Sequence, residues 1–340
     1  MAADAAEKIF PWGDNRPTRR QRLIVAIVVA VVSAATLYAS FAQEPERKTD
    51  FGLAWFSARA IAEHRDPYPI VGPGKEYYNA YPLYYPATAF VAALPFAALP
   101  EQQAAIAFVT VSAFLLAWGM TADSWHRLPL VVSASFMDSV LAAQWTIILT
   151  AALFLPWLAA FAAAKPQNGI PVLGAGSDTT VKAGVLGAIA LFVISLIMLP
   201  GWPSEWVSHV NGSNPLHPPL FHPIGALVIL SLLRWRRPEA WLLFLTALLP
   251  QTFMWYSALA LLTIGRTWRE ASLLSMTSTI GFLLGNLAIY KGVSHLGRVT
   301  WAIYITTTFI PPLLVILRRR NDGPSPWWIS SLGRLKPKAS

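Results

Sequence analysis

The sequence contains no cysteine, which excludes a disulfide framework, a thiolate nucleophile and any Cys-based metal site. It is also poor in charge. Only 13% of its 340 residues are Asp, Glu, Lys or Arg, where a soluble globular domain carries about 25%. No polar stretch is long enough to make a separate soluble domain. No GxxxxGK[ST], HExxH or GxSxG motif occurs, so the usual signatures of P-loop nucleotide binding, zinc peptidases and serine hydrolases are missing. Neither strand-period alternation nor a solenoid repeat stands out.

In their place are 55% hydrophobic residues, 15 Trp and 27 Pro. Trp favours membrane–water interfaces, and Pro is tolerated in membrane helices. The fold class expected is an all-α integral membrane protein. The net charge is +9, but the basic residues sit at the ends of apolar runs, as in Arg19-Arg20, Arg236-Arg237 and Arg318-Arg319-Arg320. That is positive-inside patterning with affinity for anionic headgroups, and no nucleic-acid partner is expected.

Residues 23–41 are apolar and long enough to span a bilayer at about 1.5 Å per residue. A cleaved signal peptide is the rival, but its apolar core usually runs only about 7–15 residues, which favours an uncleaved first helix. Further apolar runs are 103–121, 128–142, 145–164, 182–200, 223–233, 240–265 (broken at Pro250), 271–290 and 299–317. Placing the basic clusters inside leaves 85–100 at the outer interface and predicts roughly ten crossings of the plasma (inner) membrane. Residues 1–22 and 318–340 become cytoplasmic tails around one polytopic domain, 23–317. The outer face then holds a first loop, 42–102, the Ala143–Gln144 corner, a second loop, 201–222, and 291–298.

The first outer loop is the most unusual segment. Phe51, Trp55, Ala58 and Ala62 fall at helical spacing, with Arg59 and Glu63 on another face, which predicts an amphipathic helix over 51–64 lying flat at the interface. Asp66-Pro67-Tyr68 breaks it. Tyr77, Tyr78, Tyr81, Tyr84 and Tyr85 follow. Asp50, at the junction with the first span, reads either as a helix N-cap or as a carboxylate serving as general base, and the two are compatible.

An Asp just after the first span, an interfacial helix, Asp66-Pro67-Tyr68 sixteen residues on, and an aromatic-Tyr-Pro stretch before a Pro-rich helix together resemble glycosyltransferase family 87. The likeness is best from Asp50 to about Pro100. It continues through Ala143-Gln144 (often Gly-Gln in the family), Lys165-Pro166-Gln167, and Gly201-Trp202 with Trp206. No single motif is specific, and their order along the chain carries the resemblance. It implies a GT-C-like helical bundle, Asp50 as the essential acidic residue, and a polyprenyl-phosphate sugar donor, mannose-like, facing an acceptor hydroxyl on a lipid or glycan. The implied chemistry is a single inverting displacement. One departure concerns Lys165. Gln144 and Lys165 are 21 residues apart, about one span, which would put them on opposite sides. Either a helix pair is shortened by a re-entrant bend near Pro156, or Lys165 does not match.

Other polar residues extend the candidate set. In 201–222, His209, His217 and His222 are possible proton acceptors. His217 and His222, between prolines, are preferred, with ordinary loop histidine as the alternative. With Glu205 the nearest carboxylate, three His at such spacings make a poor metal site. No cofactor is called for, and a divalent metal is left open. Asn211-Gly212-Ser213 fits the N-glycosylation pattern, a common chance match. Phosphate binding calls for cations: Arg59, Arg65, Lys75, Lys291, His295 or Arg298, with Arg59 and Arg298 preferred and interfacial snorkelling as the alternative. Trp55, Tyr84, Tyr85, Asp66 and Gln144 are candidate substrate contacts. Asp138, inside an apolar run, is either functional or a helix–helix hydrogen bond.

Two other functions compete: a secondary transporter or flippase for a polar or lipid-linked substrate, and a membrane scaffold. Against transport, no paired inverted repeat is apparent and the ionisable residues gather in loops rather than mid-span. A scaffold has no need of an acidic, aromatic first loop.

Overall fold

The computed structural model describes residues 16–211, 217–250, 255–294 and 297–323. Thirteen α-helices lie within them. They are α1 (Arg19–Gln43), α2 (Asp50–Ala62), α3 (Ala87–Ala93), α4 (Glu101–Met120), α5 (Ala134–Leu141), α6 (Thr146–Ala151), α7 (Pro166–Ala175), α8 (Asp178–Met198), α9 (Trp202–Asn211), α10 (Pro238–Leu248), α11 (Trp268–Tyr290), α12 (Arg298–Thr308) and α13 (Ile310–Leu317). No strand occurs among the described residues; Val71 and Tyr77 form an isolated bridge.

Among the described residues, five helices are long and apolar enough to cross a membrane: α1, α4, α8, α11 and the near-continuous pair Arg298–Leu317. They account for five of the runs seen in the sequence. Many of their exposed side chains are apolar, as on α8 with Leu186, Ile189 and Ile197, which suits contact with lipid rather than water. The protein is a helical membrane protein.

The structure departs from the sequence expectation at the other runs. Residues 128–142 and 145–164 are not single spans. The first is a 3-10 turn, Leu128–Val132, followed by α5. The second is α6, then a 3-10 segment Pro156–Ala164. Pro156 stops the preceding helix and sits at the first position of the next segment, where a missing N–H costs least. Run 240–265 is divided into α10 and a 3-10 segment, Trp255–Ile264. A 3-10 helix rises about 2.0 Å per residue against about 1.5 Å, so a ten-residue segment reaches about 20 Å.

Small residues let these pieces pack. A Cβ on Gly187 of α8 would lie 2.3 Å from the backbone of Ala160, and one on Gly169 of α7 would lie 2.3 Å from the carbonyl oxygen of Ala162. Close backbone approach of this kind is how membrane helices associate without a hydrophobic drive between them.

The basic clusters converge at one end of the bundle. Arg319 pairs with Glu239 and Glu270, both at 2.7 Å, and donates to the carbonyl of Ile264 at 2.8 Å. Arg266 pairs with the same Glu239 at 2.8 Å, and Arg234 donates to the Leu317 carbonyl at 2.8 Å. Tyr256, at the other end of the Trp255–Ile264 segment, is about 16 Å away along its axis. There it meets Asp50.

Helix α2 is not the flat interfacial helix expected. Phe51, Leu53, Ala54, Trp55, Ser57, Ala58, Ala60 and Ile61 are all buried, which leaves no broad face for headgroups; Arg59 is exposed. Phe51 stacks on Phe108 of α4 at 4.2 Å and lies 5.9 Å from Trp145.

Candidate functional site

Asp50 is not the cap of its helix. Thr49 is the N-cap, and its Oγ1 accepts the Gly52 N–H at 3.2 Å. Asp50 occupies the first helical position, so its carboxylate is released from capping. Its own N–H donates to the Ala142 carbonyl at 3.0 Å, which docks the helix start onto the end of α5. The first turn is clamped from behind: Tyr77 donates to Glu101, Lys48 pairs with the same carboxylate at 2.8 Å, and a Cβ on Gly52 would come within 2.5 Å of the Tyr77 hydroxyl.

Three polar side chains are chained together here. Lys165 Nζ donates to Gln144 Oε1, and Gln144 Nε2 donates to Asp50 Oδ2. The Tyr256 hydroxyl donates to the same Asp50 oxygen at 3.4 Å. Lys165 Nζ lies 4.6 Å from the centre of the Tyr256 ring and 5.9 Å from that of Tyr85, within cation–π range. Gln144 is fully buried and Lys165 is 4% exposed, while Asp50 keeps some accessible surface. Of the three, Asp50 is the residue that keeps some surface.

Lys165 therefore reaches Gln144 despite the 21 residues between them. The chain is broken at 152–155 and turns back within 145–164, which brings Lys165 to Gln144. Pro166 finishes the job locally. A residue before proline is pushed from the helical region, and Lys165, at φ −141° and ψ 80°, sits between two helical segments with its side chain free to leave both.

The corner that carries Gln144 is strained. Ala143 has φ +49° and is fully buried, in the left-handed region that glycine occupies without penalty. It follows α5, and the Gln144 N–H closes the turn onto the Ser139 carbonyl at 2.8 Å. An L-residue there costs about 1–2 kcal/mol, and glycine loses about 0.4–1 kcal/mol to chain entropy. Ala143→Gly is expected to raise thermal stability in detergent modestly, and Ala143→Val to lower it.

Burial is the largest influence on Asp50 and pushes its carboxyl above the ordinary range. The Lys165 charge and the hydrogen bonds from Gln144 and Tyr256 pull it part of the way back. A carboxylate raised in this way is a stronger base than a solvated one.

An apolar groove of about 380 Å³ has Pro86, Thr88, Pro166, Phe192, Trp202 and Trp206 in its walls. Two of these, Pro86 and Pro166, directly follow Tyr85 and Lys165 in the sequence. Another wall of the groove is the middle of α8, one of the five membrane-length helices.

Asp66 and Tyr84 belong to a neighbouring contact between the first loop and α9. Trp206 Nε1 donates to the Tyr84 carbonyl at 2.9 Å, and the His209 ring lies 5.3 Å from that of Tyr68. Asp66 accepts the Tyr68 N–H at 3.0 Å. It also lies beside Glu205. The hydrogen bond between the two carboxyls, then burial and the Asp66 charge, hold Glu205 up to about 7.

Other candidates are placed elsewhere. Trp55 is buried, its Nε1 donating to the Leu99 carbonyl at 3.0 Å, and its ring carries Arg59 at 5.3 Å. Arg59 is exposed, and nine residues of helix put it about 14 Å along α2 from Asp50. Arg298 is exposed at the start of α12. His222 Nδ1 accepts the Ile224 N–H at 3.3 Å, a local turn contact, and His217 is exposed. Arg65 pairs with Glu76, Lys75 donates to the Tyr68 carbonyl at 2.7 Å, and Lys291 is exposed. His295, the Asn211 side chain and residues 212–216 lie outside the described residues. Among the described residues no cluster of three or more His, Asp or Glu side chains is arranged to hold a metal.

The chain matches no family model, and no curated protein or solved structure is significantly similar to it. Sequence reasoning missed Tyr256. It lies in an apolar stretch 206 residues from Asp50, and a single Tyr after Trp255 carries no local signal.

Proposed function

We propose that the protein is a membrane glycosyltransferase that moves a mannose-like sugar from a polyprenyl-phosphate donor to a hydroxyl of a lipid or glycan acceptor. The observation that carries this reading is a buried carboxylate tied through Gln144 to Lys165, with an apolar groove whose wall includes Pro166, the next residue after Lys165. A reaction on a lipid-linked phosphate needs those elements together: a base, a cation and a place for the chain.

In the proposed step the acceptor oxygen attacks the anomeric carbon as Asp50 takes its proton. The bond from that carbon to the phosphate oxygen breaks, and the electron pair leaves on polyprenyl phosphate with inversion of the sugar. Lys165 supplies positive charge towards the leaving phosphate. The donor tail lies in the groove between Pro86, Phe192 and Trp206. Tyr85 and Tyr256 are the aromatic faces nearest the sugar.

Membership of glycosyltransferase family 87 and a GT-C architecture belong to the same proposal, supported by the motif order together with the meeting of Asp50, Gln144 and Lys165. So does orientation. The arginines of 234–237, 266 and 318–320 gather away from Asp50, which under the positive-inside rule supports the reading that these and both termini are cytoplasmic and the site faces outside.

The test is transfer by purified protein in proteoliposomes. Radiolabelled polyprenyl-phosphate mannose and related sugars are supplied with a membrane-lipid acceptor fraction. Release of polyprenyl phosphate should match formation of a product of inverted anomeric configuration. No release with any lipid-linked sugar would overturn the reading.

A further inference from the structure

We infer that Asp138 is a positioning residue that sets the Tyr256 hydroxyl against Asp50. This rests on the proposed role of Asp50. Asp138 is a carboxylate in the middle of α5, within an otherwise apolar stretch, Phe136 to Leu141. Such a group is costly in a membrane protein and is retained where it bonds to something specific. Here Asp138 Oδ2 accepts the backbone N–H of Tyr256 at 3.0 Å. Tyr256 in turn donates from its hydroxyl to Asp50 Oδ2 at 3.4 Å and turns its ring to Lys165 Nζ at 4.6 Å. One tyrosine is therefore held by a carboxylate at its backbone and directed to a second carboxylate at its tip.

The same short helix anchors the other partners. The carbonyl of Ala142, just beyond α5, takes the Asp50 N–H at 3.0 Å, and the next two residues are the strained Ala143 and the bonded Gln144. Helix α5 thus fixes Asp50, Gln144 and Tyr256 from one rigid piece. Tyr256 lies in the first turn of the 3-10 segment Trp255–Ile264. A first-turn N–H has no partner within its own helix, and Asp138 supplies one from across the bundle. Asp138 touches no reacting atom in this scheme. It acts through Tyr256, whose hydroxyl hydrogen-bonds to the base and orients it.

The experiment combines kinetics with an activity-independent readout. Asp138→Ala removes the acceptor, whereas Asp138→Asn keeps an oxygen for the Tyr256 N–H and removes the charge. With the wild type transferring sugar, Asp138→Ala is expected to lower kcat by on the order of 10²-fold, with KM little changed and with Asp138→Asn recovering most of the loss. In a Tyr256→Phe background, Asp138→Ala should cost little more, since the hydroxyl it positions is gone. Amide hydrogen exchange at the Tyr256 N–H should lose protection in Asp138→Ala and keep it in Asp138→Asn. This readout distinguishes the tether from the reaction: a wild type inactive with every donor sinks the function, while the exchange result still judges the tether. Equal losses in Asp138→Asn and Asp138→Ala, additive effects with Tyr256→Phe, or unchanged exchange in Asp138→Ala would each overturn the inference.

Discussion

Replacing Lys165 with Met is expected to destabilise the protein, because it leaves the Asp50 carboxylate buried without the cation that acts on it through Gln144. The Lys165 charge reaches Asp50 through Gln144, and it is the first of the influences that offset burial. Without it the Asp50 carboxyl rises further. The sign of the pH dependence follows. A carboxylate whose native pKa lies above its unfolded value favours the native state while protonated and weakens it once ionised. The Lys165→Met protein should therefore lose more stability at pH 8 than at pH 6. Asp50→Asn in the same chain removes the stranded charge, so the double variant should melt above Lys165→Met alone. Thermal unfolding of the four proteins in detergent measures the coupling. Additive single effects, or a loss independent of pH, would show that the two residues do not act as a pair.

Transfer is expected to fall about tenfold for each pH unit below the Asp50 pKa, because the base works only when ionised. Burial has raised that pKa, so the acid limb of kcat/KM should lie above the ordinary carboxylate range. Rates of donor cleavage between pH 4 and 8, with protein shown to stay folded across the range, give the limb directly. A limb at an ordinary carboxylate value would mean that Asp50 is solvated during the reaction. An absence of any limb in this range would mean that another group takes the proton.

The sequence made the membrane character plain, because length and hydropathy alone decide whether a helix such as Glu101–Met120 or Asp178–Met198 can span. It pointed to Asp50 and Gln144 through local motifs. It did not show that 145–164 folds back, since hydropathy registers 20 apolar residues without registering the turn after α6. For that reason the sequence leaves both readings of Lys165 open. The flat reading of α2 failed in a related way. Helical spacing reveals that one face is apolar, but Gly52, Ala54, Ser57 and Ala58 also let neighbours approach from other sides. Asp138 was visible as an oddity whose partner was not, because a backbone N–H leaves no trace in the sequence. His217, His222, Arg59 and Arg298 were chosen by residue type and expected side, and side alone does not bring a group within reach of Asp50.

The most direct test of the account is the rate of sugar transfer from radiolabelled polyprenyl-phosphate donor by Asp50→Asn, compared with wild type at equal amounts of folded protein. The shape of the side chain is kept and the base is removed, so transfer should fall by about 10²–10⁴-fold. Transfer at the wild-type rate would contradict the assignment of Asp50 as the base.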